Sequence, residues 1–299
     1  MFYNRNFMNT GISCHILKPV NWIVSYPRSG NTFLRCLLAN YAADSSKPLT
    51  LEQIARSSCG EHDETIYFEL TGKRPAERTL IEELRARPAY FGRIRQLTDP
   101  RLPMIKSHTV HGEVEAFPTY KFAPGDRVVH LVRHPCDVAI SVAHYYNLDI
   151  DVAIDQVLRE GTYYNGWPNV GYEVIGSWSQ HTRDWMEATD VPVFRTRYAD
   201  LVTRTAEVLT ALVEFLGMPL EQTRVERAVE FSRFSRLQAE ERKGGYVETA
   251  DTAKDGYFRE GRPGQWLDRL TIKQAQRILD HDPELIDTLE FQKVVLSRV

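Results

Sequence analysis

A glycine-containing segment near the start of the chain carries groups that could bind an anion. Residues 26–33, YPRSGNTF, follow a short apolar run and precede a helical pattern. A loop between a strand and a helix directs free backbone N–H groups and the positive helix end at an anion. Arg28 adds a fixed charge, Gly30 allows close backbone approach, and further donors come from Ser29, Asn31 and Thr32.

A Walker A loop and an ordinary helix start are the alternative interpretations of this segment. The spacing G-x-x-x-x-G-K-[ST] is absent, so the segment is not a Walker A loop. It could also be an ordinary helix start in which Ser29 or Asn31 caps the first turn.

A second segment, residues 133–141 (RHPCDVAIS), repeats the same arrangement after another apolar run. Arg133 and Ser141 are then available to a second anionic group. The alternative is a surface arginine and an ordinary helix serine.

Lys106 and His108 stand two positions apart at the end of a third short apolar run. Residues two apart in an extended strand point to the same face, so both side chains can reach one cleft. The alternative for His108 is a strand-end histidine bonded to backbone.

The elements that must position these residues alternate between strands and helices. Apolar runs predict strands at 21–26, 103–107, 127–132 and 191–195, and helical spacing predicts helices at 31–42 and 206–216. This alternation indicates βαβ units and a mostly parallel sheet. Residues 239–264 combine many glycines with many charges and are interpreted as a long loop. With no repeat and no linker, the prediction is one domain over residues 1–299.

Composition narrows the classes of partner. The 299 residues carry a formal net charge of -3, which argues against nucleic acid as a partner. The four cysteines form no CxxC pair, so neither a disulfide framework nor a zinc site is predicted. We identify no signal peptide and no apolar stretch of membrane-spanning length, and the prediction is a cytoplasmic protein with no integral membrane segment.

Six segments in order resemble the cytosolic-type sulfotransferases, which use 3′-phosphoadenosine 5′-phosphosulfate (PAPS). YPRSGNTFLR is similar to their 5′-phosphosulfate loop, and LVRHPCDVAISVAHYY to their 3′-phosphate segment. Lys106-Ser107-His108 resembles the strand end that holds their catalytic base. The other matches are Tyr198 in RYADL, Ser232-Arg233-Phe234, and the segment FREGRPGQW at 258–266.

The resemblance implies an α/β fold related to the P-loop kinases, with a central parallel sheet of about five strands flanked by helices. It implies sulfuryl transfer from PAPS to an acceptor hydroxyl, with adenosine 3′,5′-bisphosphate (PAP) as product and no metal. His108 would be the general base, and Lys106 and Arg28 would stabilise the transferring group. The implied nucleotide-binding residues are Arg28, Ser29, Gly30, Asn31, Thr32, Phe33, Arg133, Ser141, Tyr198, Ser232, Phe234, Arg259, Gly261 and Arg262.

The chain departs from the family pattern at four places. Arg28 replaces a lysine but keeps the charge, and Phe33 replaces a tryptophan that stacks on adenine. Glu260 replaces a lysine and would repel the 3′-phosphate unless it points away, in which case Arg259 or Arg262 could supply the charge. The family's C-terminal dimer motif, at residues 267–276 here, lacks both of its charged ends, so a dimer through that motif is not expected.

The acceptor pocket is expected between the motifs, where aromatic residues cluster. The candidates are Tyr67, Phe68, Tyr90, Phe91, Tyr145, Tyr146, Tyr163, Tyr164 and Trp167. Aromatic rings suit an aromatic or sugar face, and the acceptor could be a small molecule, a glycan or a lipid. Packing in the core or on the surface is the alternative for each ring.

Two other functions remain open at this point. A nucleoside or small-molecule kinase would also place phosphates on a strand–loop–helix, but it needs a Walker A lysine and an acidic Mg²⁺ ligand. A non-catalytic nucleotide-binding protein would not need His108 or Arg28.

Overall fold

A computed structural model describes residues 17–161, 163–165, 171–254 and 256–291. Its strands, in chain order, are β1 (Asn21–Ser25), β2 (Cys59–Gly60), β3 (Met104–Ser107), β4 (Glu113–Val114), β5 (Phe117–Pro118), β6 (Arg127–Val132), β7 (Tyr163–Asn165), β8 (Tyr172–Val174) and β9 (Val193–Arg197).

Fourteen α-helices are assigned within the described residues. They are α1 (Asn31–Ala43), α2 (Leu51–Arg56), α3 (Glu64–Thr71), α4 (Leu80–Leu97), α5 (Pro135–Tyr146), α6 (Ile150–Leu158), α7 (Trp178–Glu187), α8 (Tyr198–Thr203), α9 (Thr205–Phe215), α10 (Gln222–Phe231), α11 (Phe234–Gly244), α12 (Trp266–Arg269), α13 (Ile272–Leu279) and α14 (Pro283–Thr288). A short 3₁₀ turn, Pro75–Glu77, precedes α4.

The central sheet contains five parallel strands in the order β2-β3-β1-β6-β9. All five residues of β1 are buried, as expected for a parallel strand covered on both faces. Because the strands are parallel, the segments that follow β1, β3 and β6 leave the same edge of the sheet. The predicted α/β fold with a five-stranded parallel sheet is therefore confirmed.

Apolar packing covers both faces of this sheet. On one face, α1 packs against α10 and shares an apolar cluster with α9 that includes Leu34, Leu38 and Leu209. On the other face, Trp22 of β1 makes edge contacts with Phe91 of α4 and Tyr120, and Trp185 of α7 contacts Tyr120. No helix among the described residues combines the length and hydropathy needed to cross a bilayer.

Two local predictions need correction. The predicted loop at 239–264 is wrong over its first part, because α11 continues to Gly244. Leu237 anchors this helix in an apolar cluster with Cys36 and Tyr246, and Gly245, with φ 72°, ends it. The fourth predicted strand lies two residues later than expected, at β9. The short edge strand β2 was not predicted, since two residues carry no periodicity.

Candidate active site

The loop after β1 leaves the start of α1 open to an anion. Gly30 is the N-cap residue with φ 102°, and no side chain caps the helix. A Cβ at Gly30 would lie 2.5 Å from the ring of Tyr198, so the position excludes any larger residue. Ser29 is fully buried and its hydroxyl has no hydrogen-bond partner among the described residues. The free N–H groups of a 13-residue helix and this hydroxyl fit an anionic group.

The two predicted anion segments meet at Arg28. Arg28 adopts φ 65°, and its guanidinium lies 4.0 Å from the ring centre of Tyr145 and 4.4 Å from that of Tyr257. Its Nε donates to Ser141 Oγ at 3.4 Å, and Arg133 Nη1 donates to its backbone oxygen at 3.0 Å. The fold therefore joins segments that are about a hundred residues apart in sequence.

A small cavity, which we call the arginine cavity, lies beside these contacts. Its volume is about 70 Å³. Its lining contains ten of the predicted nucleotide-binding residues: Arg28, Gly30, Thr32, Phe33, Arg133, Ser141, Tyr198, Phe234, Arg259 and Gly261. Arg133 lies 4.6 Å from the ring centre of Tyr198, and its Nε has no hydrogen-bond partner among the described residues.

The predicted nucleotide-binding residues Asn31, Ser232 and Arg262 do not line the arginine cavity. Asn31 Nδ2 donates to the Ile23 carbonyl at 3.0 Å, so its amide holds the loop to β1. Ser232 is fully buried, and its hydroxyl accepts from Asn40 Nδ2 at 3.3 Å. Arg262 lines neither this cavity nor the one described next.

Glu260 is neutralised by its arginine neighbours. Arg259 Nη1 lies 2.7 Å and Arg262 Nε 3.1 Å from its carboxylate, and Arg269 also pairs with it. Gly261 is held against Phe234, since a Cβ there would lie 2.3 Å from the ring.

A larger cavity of about 650 Å³, which we call the histidine cavity, opens on the other side of Arg28. It shares Arg28, Gly30, Thr32 and Tyr257 with the arginine cavity. Lys106 of β3 and His108, which directly follows β3, both line it, as their two-residue spacing predicts. The two cavities thus meet at the predicted anion loop.

One hydrogen bond of the His108 ring and one of its backbone N–H hold this residue in place. Its Nδ1 lies 2.7 Å from the carbonyl oxygen of Ser25, which can only accept, so Nδ1 carries the proton and Nε2 has a free lone pair. Its backbone N–H donates to Glu61 Oε1 at 2.9 Å. Burial and then the charge of Lys106 lower its pKa to about 4. The imidazole is therefore neutral at pH 7, whereas an ordinary histidine with a pKa of ~6.5 would already be partly protonated there.

Glu248, which the sequence analysis did not single out, fills part of the anion site. Its carboxylate accepts from Arg35 Nη2 at 2.7 Å and from Thr32 Oγ1 at 3.1 Å, and it lies 3.5 Å from Lys106 Nζ. Burial alone would raise its pKa, but Lys106 and Arg35 outweigh burial and lower it. Tyr257 also contacts Thr32, at 2.7 Å between hydroxyls.

The aromatic candidates divide between cavity and core. Tyr145 and Tyr146 line the histidine cavity. Tyr67, Tyr90 and Phe91 are core residues, so their alternative interpretation holds. Phe68 is exposed. Trp167 and the side chains of Tyr163 and Tyr164 lie outside the described part of the chain.

Within the described ranges, one group of residues has the spacing of a metal site. Glu61, His62 and Glu173 each place a potential ligand atom within 4.8 Å of the other two. Glu61 is already bound by Arg87, whose Nη2 lies 3.0 Å from Oε2.

Comparison with known proteins identifies the class to which this fold and site belong. The family model described as "Sulfotransferase domain" matches residues 18–286. The chain therefore belongs to the sulfotransferase family, as its motifs predicted.

Individual relatives are distant. The chain is 26% identical over 182 residues to the 3-beta-hydroxysteroid sulfotransferase of Cavia porcellus, an alignment that covers 60% of each protein. It is 24% identical over 277 residues to Sulfotransferase 1A1 of Rattus norvegicus, covering 90% of this chain and 85% of that protein.

Solved structures share the fold at low identity. The mouse sulfotransferase SULT7A1 complexed with PAP has a TM-score of 0.58 at 18% identity and matches 91% of this chain and 85% of its own. Retinol dehydratase in complex with androsterone and PAP has a TM-score of 0.60 at 16% identity, covering 95% and 86%.

Proposed function

We propose that this protein transfers a sulfuryl group from PAPS to the hydroxyl of an acceptor. The observation that carries the proposal is the meeting of the two cavities at Arg28. The arginine cavity gathers ten of the residues implied in nucleotide binding, and the histidine cavity presents a neutral imidazole and a lysine beside the same loop. The PAP complexes of the structural relatives support the choice of donor.

Residues of the arginine cavity and of the adjoining anion loop would bind the donor nucleotide. Arg28, Gly30 and the N–H groups of α1 would bind the phosphosulfate end of the donor, and Arg133 with Ser141 would bind its 3′-phosphate. Phe33 and Phe234 offer rings for the adenine. PAPS would supply the sulfuryl group, with PAP as the leaving product.

His108 and Lys106 would act on the acceptor side. Nε2 of His108 would take the proton of the acceptor hydroxyl, because Nδ1 already carries a proton toward Ser25. Lys106 and Arg28 would stabilise the charge that develops on the transferring group and on the bridging oxygen. The protein mostly positions the groups, as in phosphoryl transfer.

The proposal specifies the acceptor only by its chemical class. The steroid sulfotransferases among the relatives, and androsterone bound to retinol dehydratase, support a small-molecule acceptor. A cytoplasmic location, action without a metal, and the absence of a family-type dimer also stay predictions.

The test is direct. The purified protein is incubated in EDTA with PAPS labelled at sulfur and a panel of phenols, alcohols, glycans and lipid extracts, and calorimetry measures PAP binding. We expect saturable PAP binding and label transfer to at least one hydroxyl. No heat or thermal shift at millimolar PAP would contradict the proposal, and a Mg²⁺ requirement for turnover would favour a kinase.

A further inference from the structure

Glu173 is a largely buried carboxylate of the histidine cavity with no Lys or Arg paired with it among the described residues. Glu173, on β8, lines the cavity with 25% of its side chain exposed. His62 Nε2 lies 3.7 Å from its Oε1, beyond normal hydrogen-bond length. No Lys or Arg within the described ranges forms an ion pair with it, whereas the other buried carboxylates of this region are paired.

The charges around Glu173 show why its own charge remains uncompensated. Glu61 is paired with Arg87 at 3.0 Å, and Glu248 is paired with Arg35 at 2.7 Å and with Lys106 at 3.5 Å. Burial and then the nearby Glu61 raise the pKa of Glu173 to about 7. This carboxylate is therefore stabilised by whatever positive group enters the cavity.

His62, which lies beside Glu173 but not on the cavity lining, leaves that carboxylate without a hydrogen-bond partner there. Its side chain is only 5% exposed, and neither ring nitrogen has a hydrogen-bond partner in the described structure. Burial lowers its pKa to about 3, so the ring is neutral at pH 7 and one nitrogen can accept a hydrogen bond. A neutral His62 therefore does not supply the positive charge that Glu173 lacks.

The remaining wall of the cavity defines the rest of such a ligand. Tyr145, Tyr146, Val142, Val157 and Ile175 present aromatic and apolar surface. The ligand that fits is an apolar or aromatic body with one positively charged N–H group at the Glu173 end.

We propose that the acceptor carries a protonated amine, bound by Glu173 while its hydroxyl faces His108. This inference rests on the proposed sulfuryl transfer. An ammonium ion suits the site better than a metal ion. Arg87 already neutralises Glu61, so only Glu173 contributes a negative charge to the site. The positive charges of Lys106 and Arg87 repel a divalent metal ion twice as strongly as they repel a singly charged ammonium ion at the same distance.

The experiment compares three phenols of similar size that differ in charge: 4-(aminomethyl)phenol, 4-ethylphenol and 4-hydroxyphenylacetate. Calorimetry in EDTA measures their binding to the protein with and without PAP. We expect the amine to bind at least tenfold more tightly than 4-ethylphenol, and the carboxylate to bind more weakly than both. Glu173→Gln should remove the preference for the amine while 4-ethylphenol and PAP bind as before.

Asp251→Asn is the matched control, because Asp251 is an exposed carboxylate on the lining of the same cavity. It should leave the preference for the amine intact. The inference is overturned if the wild-type protein does not prefer the amine, or if Glu173→Gln keeps the preference. Tight binding of Zn²⁺ alone to the metal-free protein, lost in Glu173→Gln, would overturn it in favour of a metal site.

These outcomes separate this inference from the proposed function. Label transfer to 4-ethylphenol without a preference for the amine contradicts only the amine site. Absence of PAP binding and of label transfer to any acceptor contradicts the proposed function, while an amine preference that depends on Glu173 would still support the cation site.

Discussion

At the scale of single residues, the state of His108 decides what the histidine cavity can do. Its Nδ1 is committed to Ser25, and its Nε2 is the nitrogen with a free lone pair. A surface histidine has no such fixed tautomer, since water can serve either nitrogen.

His108→Gln should lower turnover by roughly a hundred- to ten-thousand-fold, because it removes the general base. PAP affinity should stay within a few-fold, since His108 does not line the arginine cavity. Calorimetry and initial rates measure the two effects. His111→Gln, which changes a histidine paired with Asp190 instead, should leave turnover unchanged. Near-normal turnover of an alkyl alcohol by His108→Gln would show that His108 has only a structural role.

The pH profile should reflect the lowered pKa of His108. A base must be unprotonated, so activity should persist well below pH 6.5 and fall as pH drops through about 4. Lys106 disfavours protonation, while Glu61 and Glu248 favour it. Initial rates of transfer to uncharged 4-ethylphenol, measured from pH 4 to 8, provide the test. An acid limb centred near pH 6.5 would contradict the buried geometry.

Arg133 should distinguish the two phosphates of the donor product. Arg133→Ala should weaken the binding free energy of PAP by about 1.5–3 kcal/mol, which is the range for a hydrogen bond to a charged group. Adenosine 5′-monophosphate, which has no 3′-phosphate, should lose far less affinity. Arg277→Ala, at a surface pair with Asp155, is the control for loss of a charge. Equal losses for both nucleotides would count against the assignment.

At the scale of elements, the described residues of the segment at 245–265, which are all except 255, close over the anion loop. Glu248 accepts from Thr32, Tyr145 donates to the Glu248 carbonyl at 2.6 Å, and Tyr257 covers Arg28. The arginine cavity below it, at about 70 Å³, is far smaller than the ~300–1,000 Å³ of typical ligand sites. We therefore propose that this segment must move for a nucleotide to enter.

Limited trypsin digestion should detect that movement. Lys254 and Arg259 provide cleavage sites in the segment, whereas the bond between Arg262 and Pro263 resists trypsin. We expect cleavage there in the free protein and protection by PAP, because Arg259 and Gly261 would then be held against the ligand. Sequencing of the fragments identifies the sites. Cleavage at the same rate with and without PAP would show that the segment is not coupled to the site.

At the scale of the whole molecule, one buried acid joins distant parts of the chain. Asp126 accepts from Val20 N at 2.9 Å and Trp22 Nε1 at 3.2 Å, and both of its oxygens accept from Arg95 at 2.6 Å. Asp126 and Arg95 are fully buried. This network connects β1, α4 and the turn before β6.

Asp126→Ala should lower the free energy of unfolding by about 3–5 kcal/mol, because it leaves Arg95 charged and unpaired in the core. Urea denaturation measures the change. Asp155→Ala removes an acid that is 62% exposed and should cost no more than about 1 kcal/mol. A loss for Asp126→Ala as small as that of the control would mean that the buried pair contributes little.

The sequence alone determined the parallel α/β architecture, the family, and the local motifs at the ends of β1, β3 and β6. These features are local: apolar runs, Gly30 and the two-residue spacing of Lys106 and His108 depend on neighbours in the chain. The helical extent of residues 239–244 is not predicted, because glycines and charges are loop signals in sequence, whereas the packing of Leu237 anchors α11 in the folded chain.

Only the tertiary structure decided what surrounds those motifs. Glu248 contacts Thr32 across 216 positions, and Glu173 lies 3.7 Å from His62 although 111 positions separate them. A sequence in which a glutamate stands among other charged residues predicts that its side chain is exposed to solvent. Only packing against residues distant in sequence buries that side chain and determines its hydrogen-bond partners. The same packing lowered the pKa of His108 and left Glu173 without a cationic partner in the described part of the chain, because both effects depend on burial and on charges brought from other elements.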